Sequence, residues 1–414
     1  MQADFDFAVI GAGIVGASVA WRLTAGGHRI LLLDGSLPGS GASYGNAGMI
    51  AAAEFLPMAT FATLRSLPRI AMHADGAMKI VPRYLPRLLP WGLRFLAASR
   101  PSCFQETVRA MAPLCLAASM DTKALLAEIG AAEMLVRNDF LRLFPDEAAF
   151  DAVSGAWERR RSEGLDFTRH DRQAIESLVP DLASGHAVGV SVRNYHHLSD
   201  PQAVVRRLVS AAEARGARFH RSPVTGFRTE DRAVQVTTAD GAEFSAGKIV
   251  IAAGAWSNRL AAMVGDRFPL ETQRGYHLQF SNPGIALDRT LAFSDLGIAV
   301  LPMAEHIRVT SYVEFAGLHH PPVERRFEVI ARKARKVFPK LDPASATRWM
   351  GHRPALPDDR PVVGQSHRNR SVYYCFGHGH VGVTLAAGTS RLLAGMIEGT
   401  VPDGPENPFR PDRF

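Results

Sequence analysis

The 414-residue chain is poor in cysteine: Cys103, Cys115 and Cys375 fall in no CxxC or CxH spacing. That argues against a disulfide framework and a structural zinc site, and points to a reducing compartment. No secretory leader is expected. Met1 to Asp6 carries acids but no lysine or arginine, and glycines break the apolar run that follows. No run reaches the roughly 18 uninterrupted apolar residues of a membrane-spanning helix. Dense Lys/Arg blocks are also missing. The 47 Lys+Arg against 40 Asp+Glu give a net charge of +7 spread along the chain, so no nucleic-acid partner is expected. An anionic ligand or membrane surface fits the same mild excess. Internal repeats and low-complexity segments are absent. What is there, 47% hydrophobic and 21% charged residues, is ordinary globular usage and enough chain for two or three domains.

The first fifty residues carry the clearest pattern. Phe7-Ala8-Val9-Ile10 reads as a buried parallel strand, followed by Gly11-Ala12-Gly13-Ile14-Val15-Gly16 and a helix from Ala17 to Leu23. Gly26-Gly27 stops that helix, and a second strand, Arg29 to Leu33, ends at Asp34. Gly11 permits the sharp turn, Gly13 lets backbone approach a pyrophosphate, and Gly16 lets helix and strand pack closely. The helix N-terminus offers N–H groups and positive dipole to phosphate. Asp34, 18 residues after Gly16, is placed to accept from ribose hydroxyls. Strand, turn, helix, strand and acid agree on a dinucleotide. The fingerprint leaves NAD and FAD open, and the next loop separates them. Gly39-Ser40-Gly41-Ala42-Ser43-Tyr44-Gly45-Asn46-Ala47-Gly48 is small, polar and glycine-dense, suited to running beside a long flavin nucleotide.

With this loop the sequence resembles the D-amino-acid oxidase (DAO) family of FAD enzymes, in its D-amino-acid dehydrogenase branch. The resemblance is strong over 5–48, 247–257 and 350–397 and weak over 60–190. It implies an α/β (α+β) fold: a Rossmann-like FAD-binding domain from 1–60, 197–262 and 346–402, of the glutathione-reductase-like type. A second, mixed-sheet substrate domain with a helical insertion would come from 61–196 and 263–345. The implied FAD contacts begin at Gly11, Gly13, Ile14, Val15, Gly16, Asp34 and Gly35. They continue through Ser43, Asn46, Ala47, Gly48 and Met49, then Val224, whose counterpart meets adenine through its backbone. Ala253, Gly254 and Trp256 belong to the Ala252-Ala253-Gly254-Ala255-Trp256-Ser257 stretch near the cofactor.

Two C-terminal stretches complete the pattern. Arg353-Pro354 through Gly364 follows the family's Arg-Pro-x-x-x-Asp-x-x-Pro-x-x-Gly, whose arginine binds the substrate carboxylate. A guanidinium offers a planar two-donor fork that matches that group. Gly377-His378-Gly379-His380-Val381-Gly382 follows a buried strand, Val372 to Phe376, and precedes a helix, Val383 to Ile397. In the family this helix start, with Thr384 in its first turn, is aimed at the flavin, where N–H groups and dipole stabilise negative charge on the reduced ring. His378 reads as a residue holding the turn. His380 reads equally as active-site or turn residue, and a metal pair lacks a third ligand. The candidate catalytic set is Arg353, Tyr276 and His380.

Elsewhere the chain from Met49 to about Arg193 reads as mostly helical, with helical spacing over Leu114 to Ile129. Residues 263–345 read as mixed strands with a helix at Val323 to Phe338, and Asp200-Pro201 starts a helix to Ala214. The stretch Gly76 to Gln105 holds no acid but carries Lys79, Arg83, Arg87, Arg94 and Arg100, with Pro82, Pro86 and Pro90 interrupting any single helix. It is either a packed insertion or a basic amphipathic patch for an anionic membrane.

The resemblance implies FAD-dependent dehydrogenation of a D-amino acid, with a cyclic one such as D-hydroxyproline as a refinement. The substrate would bind through its carboxylate to Arg353, with hydride passing from Cα to flavin N5 and electrons then to a quinone or O₂. The flavin is expected to be noncovalent, because no cysteine lies in 350–364 and Cys375 sits in a buried strand. An O₂-using glycine, sarcosine or D-amino-acid oxidase, or the flavin subunit of a larger complex, are the alternatives. The expected location is cytoplasmic, peripheral on the inner face of the cell membrane if the basic stretch docks. No metal is expected.

Overall fold

The computed structural model describes residues 3–60, 75–183, 185–193, 195–230 and 233–414. Residues 61–74 of the expected insertion lie outside the described residues. Phe5–Ile10 pairs in parallel with Ile30–Asp34 on one side and Glu243–Ile251 on the other, and Arg218–Arg221 extends the sheet beyond Ile30–Asp34. Successive side chains of the first strand feed two cores: Phe7 and Val9 face one apolar cluster, Ala8 and Ile10 another. A strand covered on both faces must read as a continuous apolar run, which is why Phe7 to Ile10 does. Glu243–Ile251 branches. Its first half pairs antiparallel with Val234–Thr238, and its last residues pair in parallel with Val372–Phe376.

Helix α1, Ile14–Ala25, packs on this sheet; further helices are α2, Leu85–Ala98; α3, Pro101–Glu128; and α4, Gly382–Ile397. α4 packs against both α1 and α3. The helix Pro201–Ala214 also packs on α1, and Asp200 caps it by accepting from the N–H groups of Gln202 and Ala203.

The second sheet runs in the order Ala346–Ala355, Glu271–Phe280, Ile307–Phe315, Ile298–Pro302, Arg289–Phe293, Asp139–Phe144, Val188–Val192, Phe167–Asp171. The helix Glu324–Val337 covers one face with Phe327, Ile330 and Val337. The other face turns to the first domain.

Three expectations need correction. Helices do predominate among the described residues of Met49 to Arg193, but strands that the helical reading did not place run between them: Leu135–Arg137, Asp139–Phe144, Phe167–Asp171 and Val188–Val192. Asp139–Phe144 pairs with Arg289–Phe293, far along the chain, and such a partner leaves no local period to read. Residues 101–128, grouped with the substrate domain, belong to the nucleotide side, where Val108, Met111 and Cys115 share a core with α1 and α4. α3 has the length and apolar composition of a membrane span, but its apolar face is committed to that core. Finally, Pro90 sits inside α2. The breaks fall at the short 3₁₀ turn Pro82–Tyr84 and at Ser99–Arg100.

Candidate active site

A cavity of about 750 Å³ opens between the two sheets. One end is built from the N-terminal fingerprint. Gly11 adopts φ +112°, and a Cβ there would collide with the Ala252 carbonyl, so only glycine makes this turn. Gly16 does not line the cavity; its Cβ would strike Gly11, which is the close helix–strand packing expected of it. Gly13 is the N-cap of α1, with no capping side chain, and lies at the cavity wall with Ile14 and Val15. Ser43 Oγ accepts from Ile14 N at 2.9 Å and pins the glycine-rich loop to the helix start. Asp34 lines the same end with Gly35 and Val224. Its carboxylate accepts from Ala12 N at 2.7 Å and Ser36 N at 2.8 Å, while burial raises its pKa. The Val224 carbonyl is taken by Arg259 Nη2 at 2.9 Å.

The loop then crosses to the second sheet. Asn46, Ala47 and Met49 line the cavity. Gly48 does not; it meets the Leu198 backbone instead. Arg308 reaches across from the second sheet to donate to the carbonyls of Tyr44 and Asn46. Ala253, Gly254 and Trp256 line the opposite wall, and Trp256 is half exposed beside His352, a partner more open than a core aromatic would have.

The N-terminus of α4 also opens on the cavity. Gly379, His380, Val381 and Gly382 line it, and no side chain caps the helix. Gly377 lies behind the wall against Leu356. Thr384 is a brace: its Oγ1 accepts from Ala51 N at 2.9 Å and donates to the Met49 carbonyl at 3.2 Å. His378 lines the wall but is buried, with Nε2 at 3.0 Å from Thr389 Oγ1; burial pushes its pKa to about 3. His380 opens into the cavity. The protein enclosing the cavity, with the nearby Arg353 charge, lowers its pKa. Two uncapped helix starts and a glycine turn facing one cavity fit a flavin dinucleotide: α1 would receive its pyrophosphate and α4 its ring.

Strand alternation decides what the second sheet offers. Gly275 pairs with Gly351, His277 with Trp349, and Gln273 with Arg353. Gly275, Trp349, Gly351 and Arg353 all line the cavity. Tyr276 alternates to the other face. It is fully buried, donating to Glu314 at 2.6 Å and accepting from Arg274 at 2.8 Å, so its expected place in the active site is corrected. Arg353 lies across Gly275, where any Cβ would collide with its guanidinium. Arg353 Nη1 donates to the Tyr312 carbonyl at 2.8 Å. Tyr312 holds φ +72°, a strained setting for a non-glycine residue, at the irregular register that turns this carbonyl toward Arg353. Burial lowers the Arg353 pKa to about 10, still a cation at neutral pH. Trp349 stacks on His277 with ring centroids 5.0 Å apart and is seated between Gly45 and Gly351.

Of the cavity's polar and aromatic residues, Glu54, Arg142 and Trp349 are among those outside any motif, and Asp359 is a variable position of the Arg353–Gly364 stretch. Asp359 accepts from Met58 N at 2.7 Å, and burial raises its pKa to about 7. For Glu54 a signal exists in the sequence, a lone acid in the run Ala51-Ala52-Ala53-Glu54-Phe55-Leu56. Arg142 has none, because its place depends on a strand pairing. Among the described residues no cluster of metal-ligating side chains occurs.

The model of the family described as FAD dependent oxidoreductase (DAO) matches residues 6–396. The chain is 34% identical over 414 residues to a D-amino-acid oxidase of Bradyrhizobium diazoefficiens, covering 98% of each. It is 28% identical to a D-amino acid dehydrogenase of Dechloromonas aromatica, covering 97% of this chain and 98% of that one. The fold matches glycine oxidase from Geobacillus kaustophilus with TM-score 0.77 at 21% identity, covering all of both chains. It matches L-proline dehydrogenase from P. horikoshii with TM-score 0.74 at 18% identity, covering all of this chain and 98% of that one. Matched along nearly its whole length, from the nucleotide turn to the helix start behind His380, the chain belongs to the DAO family of FAD-dependent oxidoreductases.

Proposed function

We propose that the protein oxidises the carbon–nitrogen bond of a D-amino acid held by its carboxylate on Arg353. The observation that carries this is the guanidinium itself: half-buried, lying across Gly275, held by one carbonyl, and lining the cavity with donors to spare. The relatives named D-amino-acid oxidase and D-amino acid dehydrogenase support the substrate class. Bound FAD supplies the two-electron acceptor. Arg353 fixes the substrate's orientation, the Gly39–Gly48 loop and Trp349 shape the space around it, and α4 directs its N–H groups at the ring. The substrate's ammonium loses its proton to solvent before it reacts as the free amine, and His380, with its lowered pKa, is not required as the base. Anaerobic addition of paired D- and L-amino acids to the yellow holoenzyme tests the reading: D-isomers bleach the flavin absorbance and L-isomers leave it. Bleaching by neither isomer of any amino acid refutes it.

A quinone in the membrane is the acceptor that a second observation favours. α2 buries Leu88, Trp91 and Phe95 and exposes Leu85 (55%), Leu89 (61%), Leu93 (59%) and Leu96 (49%). Exposed Arg83, Arg87, Arg94 and Arg100 flank this stripe, with no acid between Gly76 and Gln105. Leucines inserted shallowly and arginines over anionic headgroups give peripheral attachment, at about 1 kcal/mol per cation. Salt-sensitive co-sedimentation with anionic vesicles, lost in Arg83→Glu/Arg87→Glu, is the expected result. Wild-type protein that stays in the supernatant at low salt leaves O₂ as the favoured acceptor.

A further inference from the structure

The cavity holds a second set of charges, outside the nucleotide motifs and on a different strand from Arg353. Arg142 Nη2 donates to Glu54 Oε1 at 2.8 Å, and both residues line the cavity. Their side chains keep 30% and 37% of their surface accessible. Glu54 is the protein partner of Arg142 among the described residues, so Nε and Nη1 are uncommitted donors. The arginine is also held from behind, with its guanidinium carbon 5.7 Å from the Phe140 ring centroid and 5.8 Å from that of Trp157. His380 and Arg353 line the same cavity as this pair.

The sign of the charge decides what the pair recognises. Arg160 stands behind Glu54, and its guanidinium donates to the carbonyls of Ala53 and Ala156, not to a carboxylate. Burial alone would raise the Glu54 pKa, but Arg142 and Arg160 outweigh it and keep the group ionised. Two cations thus face one carboxylate. The other acid at this end, Asp359, is turned to the Met58 N–H. An ammonium or guanidinium side chain would meet an excess of positive charge, whereas a carboxylate would meet an arginine with free donors.

Resting on the proposed binding of the α-carboxylate to Arg353, we infer that Arg142, oriented by Glu54, receives a second carboxylate, so that the preferred substrates are acidic D-amino acids. Glu54 tempers this site, because it competes with the substrate for the same guanidinium. The two partners therefore act on selectivity in opposite directions, which a merely structural pair would not do.

The test is steady-state kinetics of FAD-loaded enzyme on D-glutamate, D-glutamine, D-lysine and D-alanine. Wild type should favour D-glutamate over its neutral isostere D-glutamine by about tenfold or more in kcat/KM, the size of a charge-assisted hydrogen bond. Arg142→Gln should collapse that ratio toward one, and Glu54→Gln should raise it several-fold. A wild-type ratio at or below one, or a preference for D-lysine, overturns the inference, as does a fall in the ratio in Glu54→Gln. The wild-type ratio and Glu54→Gln decide the matter even if Arg142→Gln fails to fold. Turnover of D-alanine with no acidic preference sinks this inference alone. Absence of turnover with every D-amino acid sinks the underlying reading with it.

Discussion

The two walls of the cavity are made differently. The nucleotide wall is mostly backbone: a glycine turn, two uncapped helix starts and a small-residue loop, drawn largely from contiguous stretches. The substrate wall is made of side chains, Arg353, Trp349 and Arg142, projecting from strands far apart in the chain. Glycines serve the two walls differently. On the first, Gly11 and Gly16 let turn and helix close against the protein's own backbone while Gly13 leaves the helix start open; on the second, Gly275 and Gly351 clear room for large side chains. A cofactor shared by a family can be gripped by backbone, which any sequence offers, whereas substrate choice needs particular side chains at particular points.

Damage to the two walls should therefore separate cofactor loss from substrate loss. The largest effect is expected of Gly11→Ala, whose methyl meets the Ala252 backbone at a positive φ. The purified variant should be colourless or insoluble, and a full complement of FAD by absorbance would break the comparison at its first wall. Arg353→Ala should keep its flavin yet lose about 100-fold or more in kcat/KM, two charge-assisted bonds at about 1.5–3 kcal/mol each. Arg353→Lys should fall between, because the charge remains and the fork does not.

Gly275→Ala sharpens the contrast, since it alters no chemical group. Its methyl would occupy the place of the Arg353 guanidinium, so KM should rise about tenfold with FAD content unchanged. Loss of flavin in this variant, with KM untouched, would show that the second wall also grips the cofactor. The smallest effect concerns pH. Asp359 titrates near 7 in the fold against about 3.8 in the unfolded chain, so the folded state binds its proton more tightly. Its contribution is full below about pH 4 and is lost as pH rises toward 7. Asp359→Asn, which still accepts from Met58 N, should flatten that part of the stability profile, seen as a few degrees of Tm. A wild-type Tm that does not decline over this range relative to the variant would contradict the assignment.

The nucleotide motifs between Gly11 and Gly48 and the Arg353 and Gly377–Gly382 stretches are legible in the chain because each is a run of neighbours whose geometry is local, though Gly16, Gly48 and Gly377 stand behind the cavity wall. The sequence also placed the helices at Pro201–Ala214 and Glu324–Val337 through caps and period. The rest depended on packing between segments distant in the chain. Tyr276 reads like a candidate beside Arg274 and Gly275, yet one step along a strand moves a side chain to the opposite face, and the sheet's packing alone fixes which face is the core. The strands from Asp139 to Val192 stayed hidden for a related reason: a strand is stabilised by partners distant in sequence, so its pattern need not show where it forms. Arg142 reaches the cavity, and Glu54, through such a pairing. α3, whose composition alone would suit a membrane, is a core helix because α1 and α4 bury its apolar face.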